Sequence, residues 1–220
     1  KANYKLMKID FYFSLRSPYS YLILPRIIML RDKYGVEVNF KLVYPIAIRM
    51  PQFFKRRNFF TYFWWKMIDM KLKARKLGMK FVLPPRPDPI KQDLVTGKVS
   101  DHQPYIFDIC HLLQAAEKDR QLDFALEISS LIFGGGKDWN KDEELIKASK
   151  NLGLDFHEMK KKVSENESDL IEQIKNNQKD QLEAGHHGVP LSVYKNSYFF
   201  GQDRFDDLVN ELKKDGLNYP

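Results

Sequence analysis

The chain has 220 residues, of which 43% are hydrophobic and 14% aromatic, and its formal net charge is +7. This composition is too apolar for a disordered chain, and the length is enough to bury a core in one domain with an insertion or in two small ones. The single cysteine, Cys110, excludes an intrachain disulfide, a dithiol redox pair and a zinc site with several thiolates. No apolar run approaches the roughly 20 residues of a membrane span. The composition therefore indicates a basic, aromatic-rich globular protein.

The first 44 residues predict two strands joined by a helix. Tyr4–Phe13 is expected to form a buried strand, because most of its residues are apolar or aromatic and show little helical spacing: Leu6, Met7, Ile9, Phe11, Tyr12 and Phe13. A helix should begin after Ser17, with Ser as its cap and Pro18 as its first residue, and a kink is expected at its internal proline. Val36–Tyr44 alternates as a second strand. A βαβ unit of this length favours a parallel pair of strands.

The remaining segments are mostly helical and end in a short hairpin. Apolar periodicity predicts helices over residues 59–77, 106–118, 122–133, 141–152 and 156–183. Two short strands follow at 191–194 and 198–200, around a turn at Asn196–Ser197, and a last helix covers 206–213. The order βαβ, helices, ββα predicts an α/β thioredoxin-like fold with a large helical insertion. We expect residues 1–48 and 184–220 to form the thioredoxin-like domain and residues 49–183 to form the inserted domain.

Thioredoxin-like proteins carry their chemistry where the first helix begins, opposite a proline that precedes the third strand. Redox members have Cys-x-x-Cys at that helix start, whereas this chain has Ser17-Pro18-Tyr19-Ser20. Hydroxyls replace both thiols, so the disulfide chemistry of the scaffold is absent.

Three motifs, in order, resemble one family. They are similar to motifs of the 2-hydroxychromene-2-carboxylate isomerases and the related kappa-class glutathione transferases. The first is Asp10-Phe11-Tyr12-Phe13 with Ser17-Pro18-Tyr19-Ser20-Tyr21-Leu22, the second is Gly188-Val189-Pro190, and the third is Phe200-Gly201-Gln202-Asp203-Arg204. The resemblance spans nearly the whole chain. It implies a DsbA-like thioredoxin fold, glutathione as cofactor, a homodimer and a cytoplasmic location. It also implies a small aromatic carboxylate or electrophile as the substrate, and neither nucleic acid nor membrane as a partner.

The resemblance assigns Ser17 as the catalytic residue, a hydrogen-bond donor to the glutathione thiolate. A free thiol has a pKa near 8.5, and lowering it by about two units requires ~2.7 kcal/mol. A helix N-terminus contributes about 0.3–2 kcal/mol toward an anion, and a hydroxyl donor contributes ~1.5–3 kcal/mol. Ser17 at the helix start would supply both, so no base is needed. The alternative is an ordinary capping serine.

Four further residues are implied to bind glutathione. Val189, before a cis proline at Pro190, would offer its backbone N–H and C=O to the extended tripeptide. Asp203 would pair with the γ-glutamyl ammonium, while Gln202 and the start of the last helix would hold the γ-glutamyl carboxylate. The alternatives are a tight turn at Val189-Pro190 and a helix-capping aspartate.

Two positions depart from the family pattern or invite another interpretation. Arg49-Met50-Pro51-Gln52 stands where the families commonly carry an asparagine-containing loop, so Arg49 becomes the candidate contact for a substrate carboxylate. His186 and His187 could suggest a metal site, but adjacent residues of an extended segment point in opposite directions. We therefore expect no metal.

The basic residues are concentrated in one segment. Between Arg49 and Arg86 there are eleven Lys or Arg and one acidic residue, Asp69, and eight aromatic residues lie between Phe53 and Trp65. The pattern fits a helix with an apolar face and a solvated basic face, a pocket for an aromatic anion, or a contact with a polyanion or a membrane surface. Two alternatives to an isomerase function remain. One is a kappa-class-like transferase for hydrophobic electrophiles, and the other is a non-enzymatic binding module that uses residues 49–86.

Overall fold

The computed structural model describes residues 6–54, 59–93 and 95–220, without the side chains of residue 54 and residues 59–63. Four strands form one mixed sheet: Lys8–Phe13 (β1), Glu37–Leu42 (β2), Leu191–Tyr194 (β3) and Ser197–Phe200 (β4). Their order is β2-β1-β3-β4, with β1 and β2 parallel and β3 antiparallel to both of its neighbours. The sheet therefore joins the two ends of the chain, and the predicted thioredoxin-like fold is confirmed.

The helices of the described residues are Pro18–Tyr34 (α1), Ile46–Arg49 (α2), Phe59–Lys76 (α3), Ile106–Ala115 (α4), Gln121–Phe133 (α5), Asp142–Asn151 (α6), Phe156–Glu183 (α7) and Phe205–Lys214 (α8). Short 3-10 turns cover Pro51–Phe54 and Gln202–Arg204. Helices α2 to α7 all lie between β2 and β3 in the chain. Within the described ranges, no helix is both long enough and apolar enough to cross a bilayer.

The start of α1 follows the sequence prediction. Ser17 caps the helix, and its Oγ accepts a hydrogen bond from the Ser20 amide at 3.2 Å. Gly35 ends the helix with a φ of +66°, a conformation that favours glycine. Pro25 lies inside α1 on an exposed position, and the helix continues through it to Tyr34; the kink stays a prediction. The predicted strand start at Tyr4 lies outside the described residues.

The hairpin turn differs from its prediction by one residue. The turn residues are Lys195 and Asn196, and Ser197 already belongs to β4. Lys195 has a φ of +53°, so the chain reverses one residue earlier than the Asn-Ser pair suggested. By contrast, α7 has the predicted bounds, because Asp155 caps it by accepting from the amides of His157 and Glu158.

The sheet packs apolar side chains on both faces. Ile9, Phe11 and Phe13 point into the main core, whereas Tyr12 packs with Leu191 on the opposite face, as the two-residue period of a strand requires. Side chains from α7 and from the turn between α4 and α5 cover the open edge of β2. The Phe40 carbonyl accepts from Lys118 Nζ at 2.7 Å, and the Leu42 carbonyl accepts from Asn177 Nδ2 at 2.9 Å. This edge is therefore closed to a further strand.

Candidate functional site

The loop before β3 is held through its carbonyl groups. The peptide between Val189 and Pro190 is cis, as the family resemblance implied. The four successive carbonyls of residues 187–190 each accept one hydrogen bond: His187 from Arg49 Nη2 (3.0 Å), Gly188 from Gln181 Nε2 (2.7 Å), Val189 from Ser17 Oγ (3.5 Å) and Pro190 from the Gly201 amide (2.9 Å). The donors come from four different parts of the chain. The loop is thus fixed in place by the surrounding fold.

Ser17 and Val189 lie side by side at the start of α1. The Ser17 hydroxyl donates to the Val189 carbonyl at 3.5 Å, which is long for a hydrogen bond between two oxygens. Val189 is half-buried, and its amide N–H has no hydrogen-bond partner among the described residues. The site therefore offers one unpaired N–H and one weakly held hydroxyl, close to a helix N-terminus. The structure brings Ser17, Val189 and Pro190 together; their roles stay predictions.

Two histidine rings pack against the loop. The rings of His186 and His187 are parallel, with centroids 5.1 Å apart, so the expectation that these side chains point in opposite directions is wrong. His186 Nδ1 accepts from the Gly188 amide at 2.8 Å, and its ring lies 4.1 Å from that of Phe200. The Gly188 amide thereby turns the His186 ring back toward the sheet, alongside its neighbour. Burial and then the adjacent His187 lower the pKa of His186. The described residues contain no cluster of three or more metal-ligating side chains.

Gly188 is required where it stands. A Cβ at this position would lie 2.3 Å from the Phe200 ring and 2.7 Å from the His186 ring. Glycine at position 188 leaves the space in which the rings of Phe200 and His186 pack against each other. The glycine of the Gly-Val-Pro motif therefore has a steric role that the sequence did not reveal.

Arg49 braces the loop. Its guanidinium donates to the Tyr44 carbonyl at 2.6 Å, to Gln181 Oε1 at 3.2 Å and to the His187 carbonyl at 3.0 Å. Burial lowers the pKa of Arg49 to about 10. Gln181 is itself fully buried and donates to the Gly188 carbonyl. These contacts identify Arg49 as a positioning residue, and its predicted contact with a substrate carboxylate stays a prediction.

A chain of polar contacts joins α1 to α3. The Tyr19 hydroxyl donates to Asp69 Oδ2 at 2.5 Å, and Lys73 Nζ donates to the same oxygen at 2.9 Å. Lys73 also donates to Asp203 Oδ2 at 2.6 Å. Burial lowers the pKa of Lys73, but hydrogen bonds to Asp203 and Asp69 outweigh it, so the pKa is raised. Sequence reasoning missed Lys73, because 130 residues separate it from Asp203.

The turn after β4 places the other two predicted residues. Gln202 is buried, and its carbonyl and Oε1 both accept from Arg26 Nη2, at 2.9 and 2.5 Å. Its Nε2 donates to Asp203 Oδ1. Both ends of the Gln202 amide are therefore engaged within the protein. The Asp203 carboxylate, predicted to pair with an ammonium group, faces the ammonium of Lys73.

The basic helix α3 has two different faces. Met67 and Ala74 are buried, which is the apolar face that the sequence suggested. Trp64, Trp65, Ile68 and Leu72 are exposed on the other side, between 48 and 72% of their surface. The solvated face is thus not merely basic but also strongly apolar. The cations Lys55, Arg56 and Arg57 of the same segment lie outside the described residues.

The single thiol lies in the main core. Cys110 is fully buried on α4, and burial raises the pKa of its thiol. Cys110 therefore packs as a small buried hydrophobe.

Comparisons with known proteins agree with this geometry. A family model described as a DSBA-like thioredoxin domain matches residues 8–213. Among solved structures, a 2-hydroxychromene-2-carboxylate isomerase is similar with a TM-score of 0.73 and 18% sequence identity, over 94% of this chain and 95% of that one. A search of curated proteins finds no match.

Two further solved structures are similar at lower scores. A probable DsbA oxidoreductase from Streptomyces coelicolor has a TM-score of 0.63 and 18% identity, over 97% of this chain and 92% of that one. The cytosolic disulfide reductase DsbM from Pseudomonas aeruginosa, solved with GSH, has a TM-score of 0.58 and 14% identity, over 94% of this chain and 98% of that one. At such identities the likeness shows the fold alone.

Proposed function

Because this chain belongs to the DSBA-like thioredoxin domain family, we propose that it is a glutathione-dependent enzyme of the 2-hydroxychromene-2-carboxylate isomerase type. The observation that carries the proposal is the Val189 amide, which has no partner in the part of the chain that the structure describes, beside the Ser17 hydroxyl at the start of α1. The motif resemblance supports it, as do two similar structures: an isomerase of this name and a reductase solved with GSH. Dithiol exchange, by contrast, needs a second thiol that this chain does not have.

Ser17 is the residue that would stabilise the glutathione sulfur. Its hydroxyl has one proton, which the long contact with the Val189 carbonyl holds only weakly. Turning that proton toward a thiolate exchanges a weak neutral hydrogen bond for a charge-assisted one, worth about twice as much. The Ser17 oxygen would meanwhile keep accepting from the Ser20 amide, so the helix cap is retained.

Val189 would hold the peptide backbone of glutathione. An extended peptide that pairs with one residue in antiparallel fashion uses both the N–H and the C=O of that residue. The Val189 N–H has no partner among the described residues, and a carbonyl oxygen has a second lone pair. Pro190 makes this possible, because a proline has no amide to compete for the ligand.

Asp203 and Lys73 would bind the γ-glutamyl end. That end is a zwitterion with an ammonium and a carboxylate on one carbon atom, and the pair Asp203–Lys73 offers the opposite charges 2.6 Å apart. The ammonium of the γ-glutamyl end would pair with Asp203, and its carboxylate would pair with Lys73. This assignment adds Lys73 to the carboxylate contact predicted for Gln202, whose side-chain amide also bonds Arg26 and Asp203.

When bound, glutathione would supply a thiolate that adds reversibly to the conjugated double bond of an aromatic substrate, allowing rotation before elimination restores the bond. The protein's part is to hold that sulfur charged and to orient the tripeptide. We also propose the division into a thioredoxin-like domain (1–48 and 184–220) and an inserted domain (49–183). A homodimer and a cytoplasmic location belong to the same proposal; the similar DsbM is described as cytosolic.

Calorimetry with glutathione tests the binding site, and ultraviolet titration of the bound thiolate tests Ser17. Ser17→Ala should raise the pKa of the bound thiol, whereas Ser20→Ala, which removes a buried hydroxyl from the same helical turn, should leave it unchanged. Wild-type protein that does not bind glutathione would overturn the function. An unchanged thiol pKa in Ser17→Ala would overturn the role of Ser17 alone.

Two assays separate the isomerase from the kappa-class-like transferase. Conversion of a hydroxychromene carboxylate, followed by absorbance with the total free thiol constant, supports the isomerase. Consumption of free thiol with a chromogenic aryl halide, and no conversion of the chromene, would instead identify a transferase. Glutathione binding without either reaction would exclude both activities for these substrates.

A further inference from the structure

The outer face of α3 combines large apolar side chains with cations. At 100° per residue, Trp64, Ile68, Leu72 and Trp65 fall within an arc of about 100° on the helix. Arg75 lies inside this arc, and Lys71 and Lys76 lie about 20° beyond its two ends. All seven side chains are exposed. We call these seven residues the outer face of α3.

Charge on the outer face has one sign. Lys71, Arg75 and Lys76 form no ion pair with any residue that the structure describes. Asp69, the acidic residue of α3, lies just beyond this arc and accepts from Tyr19 and Lys73. The outer face therefore presents three cations around four apolar side chains. Such a surface is complementary to a partner that is apolar inside and anionic at its boundary.

We propose that the outer face of α3 docks on the surface of an anionic lipid bilayer. Two tryptophans, an isoleucine and a leucine would enter the boundary between headgroups and acyl chains, and the cations would meet the anionic headgroups. Tryptophan suits this position because its ring is apolar and its N–H is polar. The helix would lie in the plane of the surface and would not span it. The family resemblance, by contrast, implied no membrane partner.

A second copy of the chain fits this face less well. Two-fold packing of α3 against α3 would place the same three cations of both copies at one interface, with no acidic side chain of the outer face to pair with them. An acidic protein would satisfy the charges but would also need a surface shaped for four large side chains. A bilayer has no fixed shape, so it accommodates them without further complementarity.

Docking uses only the outer face and is therefore independent of glutathione binding. Lys73, which contacts Asp203, lies outside the arc, about 80° beyond Trp65 on the same helix. A docked protein would therefore hold that contact near the bilayer surface.

Vesicle binding tests the proposal with the protein's own tryptophans as reporters. Trp64 and Trp65 lie on the outer face, and the third tryptophan, Trp139, is buried. With vesicles of phosphatidylcholine and phosphatidylserine we expect co-sedimentation, a blue shift of the emission, and weaker binding at high salt. Vesicles of pure phosphatidylcholine should bind the protein less.

Two variants and two controls identify the surface. W65S/L72S and K71E/R75E/K76E should each lower vesicle affinity at least about tenfold. The controls V95S/L182S and K160E/K161E/K175E, which change equally exposed apolar and basic residues elsewhere, should bind as the wild type does. Circular dichroism confirms that each variant is folded.

Three results would overturn the proposal. One is the absence of binding to anionic vesicles at low salt, and another is binding that survives both outer-face variants. The third is a dimer in sedimentation equilibrium that W65S/L72S dissociates, or capture by an acidic polypeptide, in either case without any association with vesicles.

Discussion

The two sides of the proposed glutathione site are built in opposite ways. Residues 187–190 are fixed by hydrogen bonds from four parts of the chain, through donors that include the fully buried Gln181. Helix α3, by contrast, contacts α1 and the turn after β4 through the charged and partly exposed groups Asp69, Lys73 and Asp203. Buried hydrogen bonds to backbone carbonyls respond little to salt, whereas exposed ion pairs respond to both salt and pH. The loop of residues 187–190 is therefore the rigid side of the site. Helix α3, held by Asp69, Lys73 and Asp203, is the side that salt and pH can loosen.

The largest effect should come from removing the brace of the loop. Arg49→Met leaves three oxygen acceptors without their donor, which should lower the free energy of unfolding by about 3 kcal/mol. Urea denaturation measures this change. Arg204→Met, which removes an exposed arginine paired with Asp207, is the control and should cost less than about 0.5 kcal/mol. Equal costs for the two variants would show that the loop is not held as described.

A methyl group inside the loop should have the next largest effect. Gly188→Ala forces the Phe200 ring away from His186, and we expect a loss of about 1–2 kcal/mol in unfolding free energy. Glutathione affinity should fall as well, because Val189 moves with the loop. The double variant Gly188→Ala with Phe200→Ala should recover part of the affinity. Failure of this rescue would argue against the steric explanation.

Ser17→Ala should cost about 1 kcal/mol of stability through the lost cap. Asp155→Ala, which removes the cap of α7, is the comparison variant. Because Asp155 accepts from two amides and Ser17 from one, thermal or urea unfolding should show at least as large a cost for Asp155→Ala. Only Ser17→Ala should change the pKa of the bound thiol. A change in that pKa for Asp155→Ala would indicate an indirect effect.

Removing Lys73 should change binding more than stability. Lys73→Met should cost less than about 0.5 kcal/mol in unfolding, because its ion pairs are partly exposed. Glutathione affinity should fall about tenfold, and Asp203→Asn should lower it similarly. A glutathione analogue without the α-amino group should be insensitive to Asp203→Asn yet sensitive to Lys73→Met. Equal sensitivity of the analogue to both changes would contradict the assignment.

The smallest expected effect is a pH dependence of the stability that the ion pairs of α3 contribute. Burial raises the pKa of Asp69, but hydrogen bonds from Tyr19 and Lys73 outweigh it, so the pKa is lowered. The lowered pKa stabilises the fold above the ordinary carboxyl value of about 4, and this contribution is lost as pH falls through the folded value. The raised pKa of Lys73 stabilises the fold below about 10 and is lost at higher pH.

The small stability difference between wild type and Lys73→Met should therefore be largest at neutral pH and shrink below about pH 4. Urea denaturation at several pH values measures it. A difference that is constant over this range would show that the ion pairs do not hold α3.

The sequence predicted what depends on neighbours in the chain. The cap at Ser17, the bounds of α7 and the loop before β3 follow from local signals such as a capping side chain or a proline. The contacts of Arg49 with the loop span 138 residues, and those of Lys73 with Asp203 span 130, so no local pattern could reveal them. The exposure of Trp65 could not be predicted either, because the spacing of apolar residues on a helix does not show which of them pack against the rest of the protein.

The burial of Cys110 makes this protein unusually easy to label. With the native thiol sealed inside α4, a cysteine introduced at the surface would be the one position open to maleimide or spin-label chemistry. A label at residue 72 would report contact with lipid. A thiol introduced by Ser17→Cys should exchange with added glutathione disulfide, forming a mixed disulfide and releasing one reduced glutathione, and so trap the tripeptide covalently for structure determination.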